Sequence, residues 1–442
     1  LAKRLQTPES IRRLQRKLYR KAKAEPDCRF HQLYDKVWRD DILFHAWELA
    51  LLNGGAPGVD GVTFDQIDAE GLENWLTALQ QELREKTYRP MPVRRVTIPK
   101  PGGGERPLGI PTVRDRVVQA AAKLVIEPIF EADLDDSAYG YRPRRSAGDA
   151  IRKVHGLLCQ GYTEVVDADL SQYFDTIPHG PLMQSVARRI VDRHMLRLLK
   201  MWLEAPVEIR TTTGARRLTG GKRRKRGTPQ GGVISPLLAN LYMNRMLKYW
   251  RSTDRPRWFR AEVVAYADDF VILSRGCAED ALEWTRKVTA KLGLELNEDK
   301  TSLRNAQAES FDFLGYTFGP QYFRKTGHWY LGASPSRRSV QRVKGKIGDL
   351  LDVRNKSPRH EVLKRLNQIL VGWSGYFSYG TRLQAYRAID NHVYDKVRHF
   401  LRKRHKVQSR ATRTFSREII YGDIGVVRLK RVHLGPQPQA LG

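Results

Sequence analysis

Cysteine is nearly absent. The three residues, Cys28, Cys159 and Cys277, lie far apart in 442 positions and are odd in number. They exclude a disulfide framework and any zinc module built on cysteine pairs, and they fit a reducing, cytoplasmic setting. The eleven histidines show no HExxH or comparable spacing, so no histidine metal site is expected. No apolar run approaches the roughly 18 residues of a spanning helix. With no signal peptide visible, a membrane is not among the expected partners. Acid is also short against base: 48 Asp plus Glu against 78 Lys plus Arg, a net +30. An enzyme of small metabolites has no use for such a field, whereas a polyanion answers it, and nucleic acid is the expected partner.

What the chain does carry is organised around Val263-Val264-Ala265-Tyr266-Ala267-Asp268-Asp269-Phe270-Val271-Ile272-Leu273. Apolar residues on both sides of two adjacent aspartates predict a buried hairpin with the acidic pair at its tip. Neighbouring side chains of a strand point opposite ways, so a turn is needed to present both carboxylates to one site. Two carboxylates on an apolar hairpin repel each other and resist desolvation, and a divalent cation resolves both problems. Hard oxygen ligands select Mg²⁺ or Mn²⁺. The third carboxylate is expected from Glu164-Val165-Val166-Asp167-Ala168-Asp169-Leu170, a strand whose Asp167 and Asp169 share one face.

Around this centre the chain reads as follows. Residues 1–50 predict two or three amphipathic helices with basic outer faces, and Asn53–Gly61 a loop. Arg94–Lys100 and Glu105–Pro111 form a ribbon whose mobile tip carries Lys100 and Arg106, an ammonium and a planar fork suited to a triphosphate. A helix runs from Asp115 to Pro128. The Ser137–Arg145 loop interleaves aromatic and basic residues, a mixture suited to bases and phosphates, and Ser146 with Asp149 resembles a capping box. Asp175 reads as a turn or cap residue. Residues 181–205 are helical, and the cations of Lys222–Arg226 lead into a Gly/Pro-rich turn with Gln230 at its tip, opening an apolar helix. Residues 294–301 read as strand and turn, and Phe311–Phe318 as an aromatic strand. From about residue 336 long basic helices follow, and the tail past 410 remains basic and ends in Gly435-Pro436-Gln437-Pro438, which reads as irregular.

Assembled, these stretches resemble a group II intron-encoded reverse transcriptase–maturase. The resemblance is carried by Tyr266-Ala267-Asp268-Asp269, Gly227-Thr228-Pro229-Gln230-Gly231-Gly232 with Ser235–Asn240, Asp167-Ala168-Asp169 with Phe174-Asp175, and Gly372–Phe377. The Arg94–Pro111 ribbon, the Tyr139–Ser146 loop, Gly293–Thr301 and Phe313-Leu314-Gly315 match in the same order, over roughly residues 50–405. It implies an α/β plus α right-hand polymerase: an N-terminal helical extension (1–50), fingers (51–165), a palm (166–330), a helical thumb or maturase domain (331–405) and a basic DNA- or RNA-binding tail (406–442).

The same resemblance implies RNA-directed DNA polymerisation with maturase activity in splicing and support of retrohoming. Asp169, Asp268 and Asp269 would hold two Mg²⁺ ions, with Mn²⁺ as the other ion of suitable chemistry. Asp169 rather than Asp167 is implied because it stands five residues before Phe174, the family spacing between metal ligand and sugar-gating aromatic. Lys100, Arg106, Phe174 and Gln230 would meet the dNTP. Arg142, Arg144, Tyr266, Lys300, Phe313, Leu314 and Gly315 would meet primer and template, and Arg398, Arg402, Lys403 and Arg404 the intron RNA. Implied partners are intron RNA, an RNA template, a DNA primer or target and dNTPs, in a cytoplasmic, nucleoid-associated location. With no cysteine after Cys277, a zinc-bearing HNH nuclease domain and second-strand cleavage are not expected. The rival readings are a mainly RNA-binding splicing cofactor and a domesticated relative serving defence, repair or CRISPR adaptation.

Overall fold

The computed structural model describes residues 5–99, 105–210, 216–323, 327–409 and 411–431. Helices α1 (Glu9–Ala24), α2 (Tyr34–Val37), α3 (Asp40–Asn53), α4 (Phe64–Glu70) and α5 (Leu72–Arg84) come first. Ile11, Leu18 and Ala22 of α1 are buried while its arginines and lysines face out, the amphipathic stripe expected at this spacing. The ribbon β1 (Val93–Pro99) and β2 (Glu105–Ile110) follows, with Ile98 opposite Arg106, and then α6 (Val113–Glu131). Both α1 and α3 pack on α6, so the expected N-terminal helical extension joins the main core.

Helix α6 continues past Pro128, where the sequence reading ends it. A proline donates no hydrogen bond to the carbonyl four residues back. Gln15 Nε2 of α1 supplies the donor to Leu124 O at 3.0 Å, so the helix continues with that carbonyl satisfied.

Next come α7 (Ala147–Cys159), β3 (Glu164–Asp169), α8 (Tyr173–Thr176), α9 (His179–Ala187), α10 (Arg193–Leu203), β4 (Pro206–Arg210) and β5 (Arg216–Gly220). The capping box expected at Ser146 is present: Asp149 N donates to Ser146 Oγ (3.2 Å) and Ser146 N to Asp149 Oδ2 (2.8 Å). After α11 (Ser235–Ser252) and α12 (Arg255–Trp258) come β6 (Ala261–Tyr266), β7 (Asp269–Ser274), α13 (Ala278–Lys291) and β8 (Ser302–Asn305). Residues 294–301 do not form the expected strand: Leu296 makes one bridge to Leu170, and β8 starts after them.

Two sheets frame the site. The palm sheet runs β6-β7-β3-β8, and the ribbon sheet β2-β1-β4-β5. One face of the palm sheet, with Val166, Ala168, Phe270 and Ile272, joins the core beneath α11 and α13. The opposite face, with Val165, Val264, Val271 and Leu273, packs against α7 and a third sheet. That third sheet contains β9 (Phe311–Phe313), β10 (Tyr316–Phe323) and β11 (His328–Pro335), ordered β11-β10-β9. The Phe311–Phe318 stretch is therefore two strands, joined at Leu314-Gly315, both at positive φ (49° and 78°) as tight hairpin turns require.

The helices α14 (Arg337–Leu350), α15 (Arg359–Tyr376) and α16 (Leu383–Arg404) form a second core around Ile347, Leu366, Leu370 and Val393. Phe415, Ile420, Val426 and Leu429 complete it, and the Asp390 carboxylate accepts N–H bonds from Leu429 (2.9 Å) and Lys430 (3.1 Å). Residues 411–431, within the stretch expected as a basic nucleic-acid-binding tail, thus pack into the helical domain; residues 432–442 lie outside the described ones. Among the described residues no helix is long and apolar enough to cross a membrane.

Candidate active site

The β6–β7 hairpin closes through the two-residue turn Ala267-Asp268, with Tyr266 opposite Asp269. Ala267 sits at φ 61°, a conformation that costs an L-residue roughly 1–2 kcal/mol and needs support from its surroundings. The Ser137–Tyr141 loop provides it. Ala265 N donates to Ser137 O and Tyr139 N to Ala265 O, each at 2.8 Å. Gly140 lies so close that a Cβ there would meet Ala267 N at 2.5 Å, and Asn240 Nδ2 fixes its carbonyl at 2.6 Å. The aromatic–basic loop therefore buttresses the acidic turn.

Strand register brings the third carboxylate in. Asp169 pairs with Asp269 across β3 and β7, so their side chains share a face with Cβ atoms about 5 Å apart. Asp167, two residues earlier, lies on the same face. Burial raises the Asp269 carboxyl to about 7, with Asp167, Asp169 and Asp268 adding to the effect. Burial likewise raises Asp268, and it takes Asp167 to about 6. Lys300 Nζ meets Asp169 Oδ2 at 2.7 Å, and Asn297 N holds the Asp169 carbonyl at 2.8 Å. Among the described residues no three acidic, histidine or cysteine side chains form a ready-made metal cage. Mg²⁺ is ordinarily bound through one or two carboxylates plus substrate phosphates, so a preassembled cage is not required.

These carboxylates stand in a cleft of about 1350 Å³ whose other walls are the ribbon sheet, α8 and the 227–230 turn. That turn is tied to α8: Gly227 N donates to Ile177 O (2.8 Å) and Thr228 N to Phe174 O (2.6 Å). At Gly227 (φ 89°) a Cβ would collide with Asp175 O, so only glycine lets the two segments meet. Gln230 is held from both ends. Its Nε2 donates to Asp175 Oδ2 at 2.7 Å, its Oε1 accepts from Arg106 Nε at 3.2 Å, and its carbonyl accepts from Gly109 N at 2.6 Å. Arg224 Nη2 stands 3.9 Å from Asp175 Oδ1. Asp175 and Arg224 are thus cleft residues that the sequence reading did not assign to a site; the partner that reveals Asp175 is 55 residues away. Phe174 lies with Tyr141 edge-on at 6.5 Å in the same wall.

The remaining expected site residues divide. Tyr266, Lys300 and Leu314 line the cleft, and Gly315 turns the chain beside it. Phe313 does not reach it: at 1 % exposure it is core between the palm sheet and the third sheet. Arg142 is also corrected. Its guanidinium pairs with both oxygens of Glu131 and donates to Asp135 O and Ala138 O, and with the side chain 3% exposed it is turned into the protein rather than toward a phosphate. Arg144 is exposed. Lys100 lies outside the described residues. At the end of α16, Arg398 meets Asp395 (3.3 Å), Arg404 donates to Ser357 O (2.8 Å), Lys403 is exposed and Arg402 partly buried.

Comparison with known proteins gives two family matches. The model for reverse transcriptase (RNA-dependent DNA polymerase) matches residues 98–318, and that for the group II intron maturase-specific domain matches residues 340–418. Protein YkfC of Escherichia coli is 38% identical over 344 residues, 69% of this chain and 87% of YkfC. Group II intron-encoded protein LtrA of Lactococcus lactis is 29% identical over 350 residues, 65% of this chain and 56% of LtrA. The chain thus spans little more than half of LtrA. An uncharacterized 91 kDa protein in the cob intron of Schizosaccharomyces pombe is 23% identical over 73% of this chain and 46% of its own length.

Proposed function

This chain belongs to the reverse transcriptase family and carries the group II intron maturase-specific domain, and from that premise we propose that it copies RNA into DNA and binds group II intron RNA as a splicing maturase, in support of retrohoming. One observation carries the polymerase reading. Asp169, Asp268 and Asp269 converge at the end of the palm sheet and face Arg106, Phe174 and Gln230 across a single cleft.

The donor set suits two Mg²⁺ ions, with Mn²⁺ chemically acceptable: the carboxylates are hard oxygens, and burial with mutual repulsion leaves them short of positive charge. Bound there, the metals would lower the pKa of the primer 3′-hydroxyl and neutralise the departing pyrophosphate. The other roles belong to the protein. Arg106 offers a planar fork to triphosphate oxygens, with Lys100 six residues before it in the chain. Gln230, oriented by Asp175, presents its amide to the incoming nucleotide. Phe174 occupies the space a 2′-hydroxyl needs, which selects dNTPs by exclusion. Lys300 holds Asp169 in place and supports the primer end. Leu314 and Tyr266 line the primer side, while Arg144 and the α16 cations Arg398, Arg402, Lys403 and Arg404 contribute to RNA contact.

The test is primer extension on an RNA template with dNTPs and Mg²⁺, wild type beside Asp268→Ala, with intron RNA binding measured on both. Extension by the wild type alone, with equal RNA binding, is the expected result. Extension by Asp268→Ala overturns the assignment of the site. Failure of both proteins to extend, with tight intron binding intact, leaves a splicing cofactor without polymerase activity.

A further inference from the structure

Beneath the palm sheet, on the face away from the carboxylates, lies a second cleft of about 880 Å³. It is enclosed by the loop after α1, the end of α6, and helices α9, α11 and α13. Its floor is apolar, with Phe130, Leu241 and Val288. Its walls are cationic: Arg29, Arg188, Arg245, Lys248 and Lys291. Among the described residues none of these five stands within ion-pair distance of a carboxylate. Two carboxylates, Asp27 and Asp133, also stand in the wall, and Asp133 is taken by Arg189 Nε at 3.0 Å, so the cations outnumber the acids.

Arg29, Arg188, Lys248 and Lys291 are exposed, but they do not lie on one helix face. The cations come from four separate segments, so folding assembles them against their mutual repulsion. Arg245 is fixed rather than free: its guanidinium donates to Pro181 O (3.1 Å) and Ser185 Oγ (3.0 Å) and lies over the Tyr242 ring. At the rim Tyr249, 42 % exposed, stacks on Trp284 with ring centroids 5.7 Å apart and 16° between planes. Cations around an apolar concavity focus a positive field, and an exposed aromatic beside them adds a stacking surface for a base. A concave site of about 880 Å³ suits a flexible strand better than a flat bilayer or a stiff duplex. A single-stranded or looped segment can enter.

We propose that this cleft is a second RNA site, which holds a single-stranded or looped stretch of RNA by its phosphates while the catalytic cleft holds primer and template. The proposal rests on the RNA partner argued above and not on polymerase activity.

The test uses the full chain with its catalytic cleft already loaded with an RNA template and a dideoxy-terminated DNA primer. Binding of a fluorescein-labelled unstructured RNA oligonucleotide is measured against salt, for wild type and for Arg188→Gln/Lys248→Gln/Lys291→Gln. The triple variant should bind at least about tenfold more weakly. Its plot of log affinity against log salt should be shallower by about 2, at ~0.7 for each of three lost contacts. Primer extension by the unloaded variant should stay within about twofold of wild type. Unchanged affinity and slope overturn the site, and so does loss of extension in parallel with binding, which would assign these cations to the catalytic cleft. Equal binding of single-stranded DNA of the same sequence, with the same sensitivity to the substitutions, overturns the assignment to RNA. Lys248→Gln alone, at an exposed position, keeps the test open should the triple variant not fold. Wild-type protein that binds the oligonucleotide but does not extend a primer would refute the polymerase reading and leave this one standing.

Discussion

The Lys300 ammonium stands 2.7 Å from Asp169 Oδ2, with the lysine side chain 65% exposed and the aspartate 24%. An ion pair this open to water is worth at most about 1 kcal/mol of stability. Its value lies in holding the carboxylate where β3 ends. Partners of this kind, behind a metal-binding group, typically contribute about 10–100-fold to activity or metal affinity. Lys300→Ala should therefore extend primers about 10–100-fold more slowly while melting within a few degrees of wild type. A large fall in melting temperature with unchanged turnover would assign Lys300 to stability alone.

Phe174 is 7 % exposed, so truncation to alanine would cost about 3–5 kcal/mol and confuse any rate comparison. Phe174→Val removes less and still opens the wall of the cleft. Discrimination of one small group in an apolar pocket is worth about 10–200-fold. The ratio of kcat/KM for a dNTP over its matching NTP should fall by about that factor. The ratio is taken within one protein, so it is insensitive to the fraction folded. An unchanged ratio would remove Phe174 from sugar selection.

Arg142 and Arg144 make a paired test of what a basic residue in this loop does. The Arg142 side chain is 3% exposed, and its partner Glu131 17%. Removing one member of a buried pair costs about 3–5 kcal/mol because the other charge stays behind. Arg142→Gln should lower the melting temperature markedly and leave RNA affinity unchanged below the transition. Arg144→Gln should do the opposite. Loss of RNA affinity by folded Arg142→Gln would restore the phosphate contact that its geometry argues against.

The same pair marks where the sequence is readable. The acidic hairpin is legible because both flanks are apolar and the turn lies between them, and the Ser146–Asp149 cap because its two partners are three residues apart. Whether an arginine faces water or a carboxylate depends on a helix elsewhere, and nothing local separates Arg142 from Arg144. Asp175 looks like a cap residue until Gln230 is folded against it. Strands β4 and β5 are missed because their residues are mixed and half exposed, so neither apolar alternation nor a run announces them. Residues 411–431 read only as basic, and their short helical turns Ile419–Asp423 and Leu429–Arg431 carry no periodic apolar pattern. Their anchoring comes from isolated apolar residues and from Asp390, a carboxylate on another element.

Asp269 gives a pH prediction for the metal-free protein. Its carboxyl titrates at about 7, raised first by burial and then by Asp167, Asp169 and Asp268. An unfolded aspartate titrates near 3.9. Between these values the folded state holds a proton that the unfolded state has released, so this contribution to stability falls as pH rises through about 4 to 7. A cation needs the charged carboxylate and must displace that proton below about 7. The melting-temperature gain on adding Mg²⁺ should therefore be small near pH 6 and larger near pH 8. Asp269→Asn carries no titrating group at this position. It should flatten part of the metal-free pH dependence across this window, leaving the parts due to Asp167, which titrates at about 6, and to Asp268, which burial also raises, and it should reduce the gain at both pH values. A gain equal at the two pH values in wild type would mean that the proton competing with the metal is not held on this carboxylate.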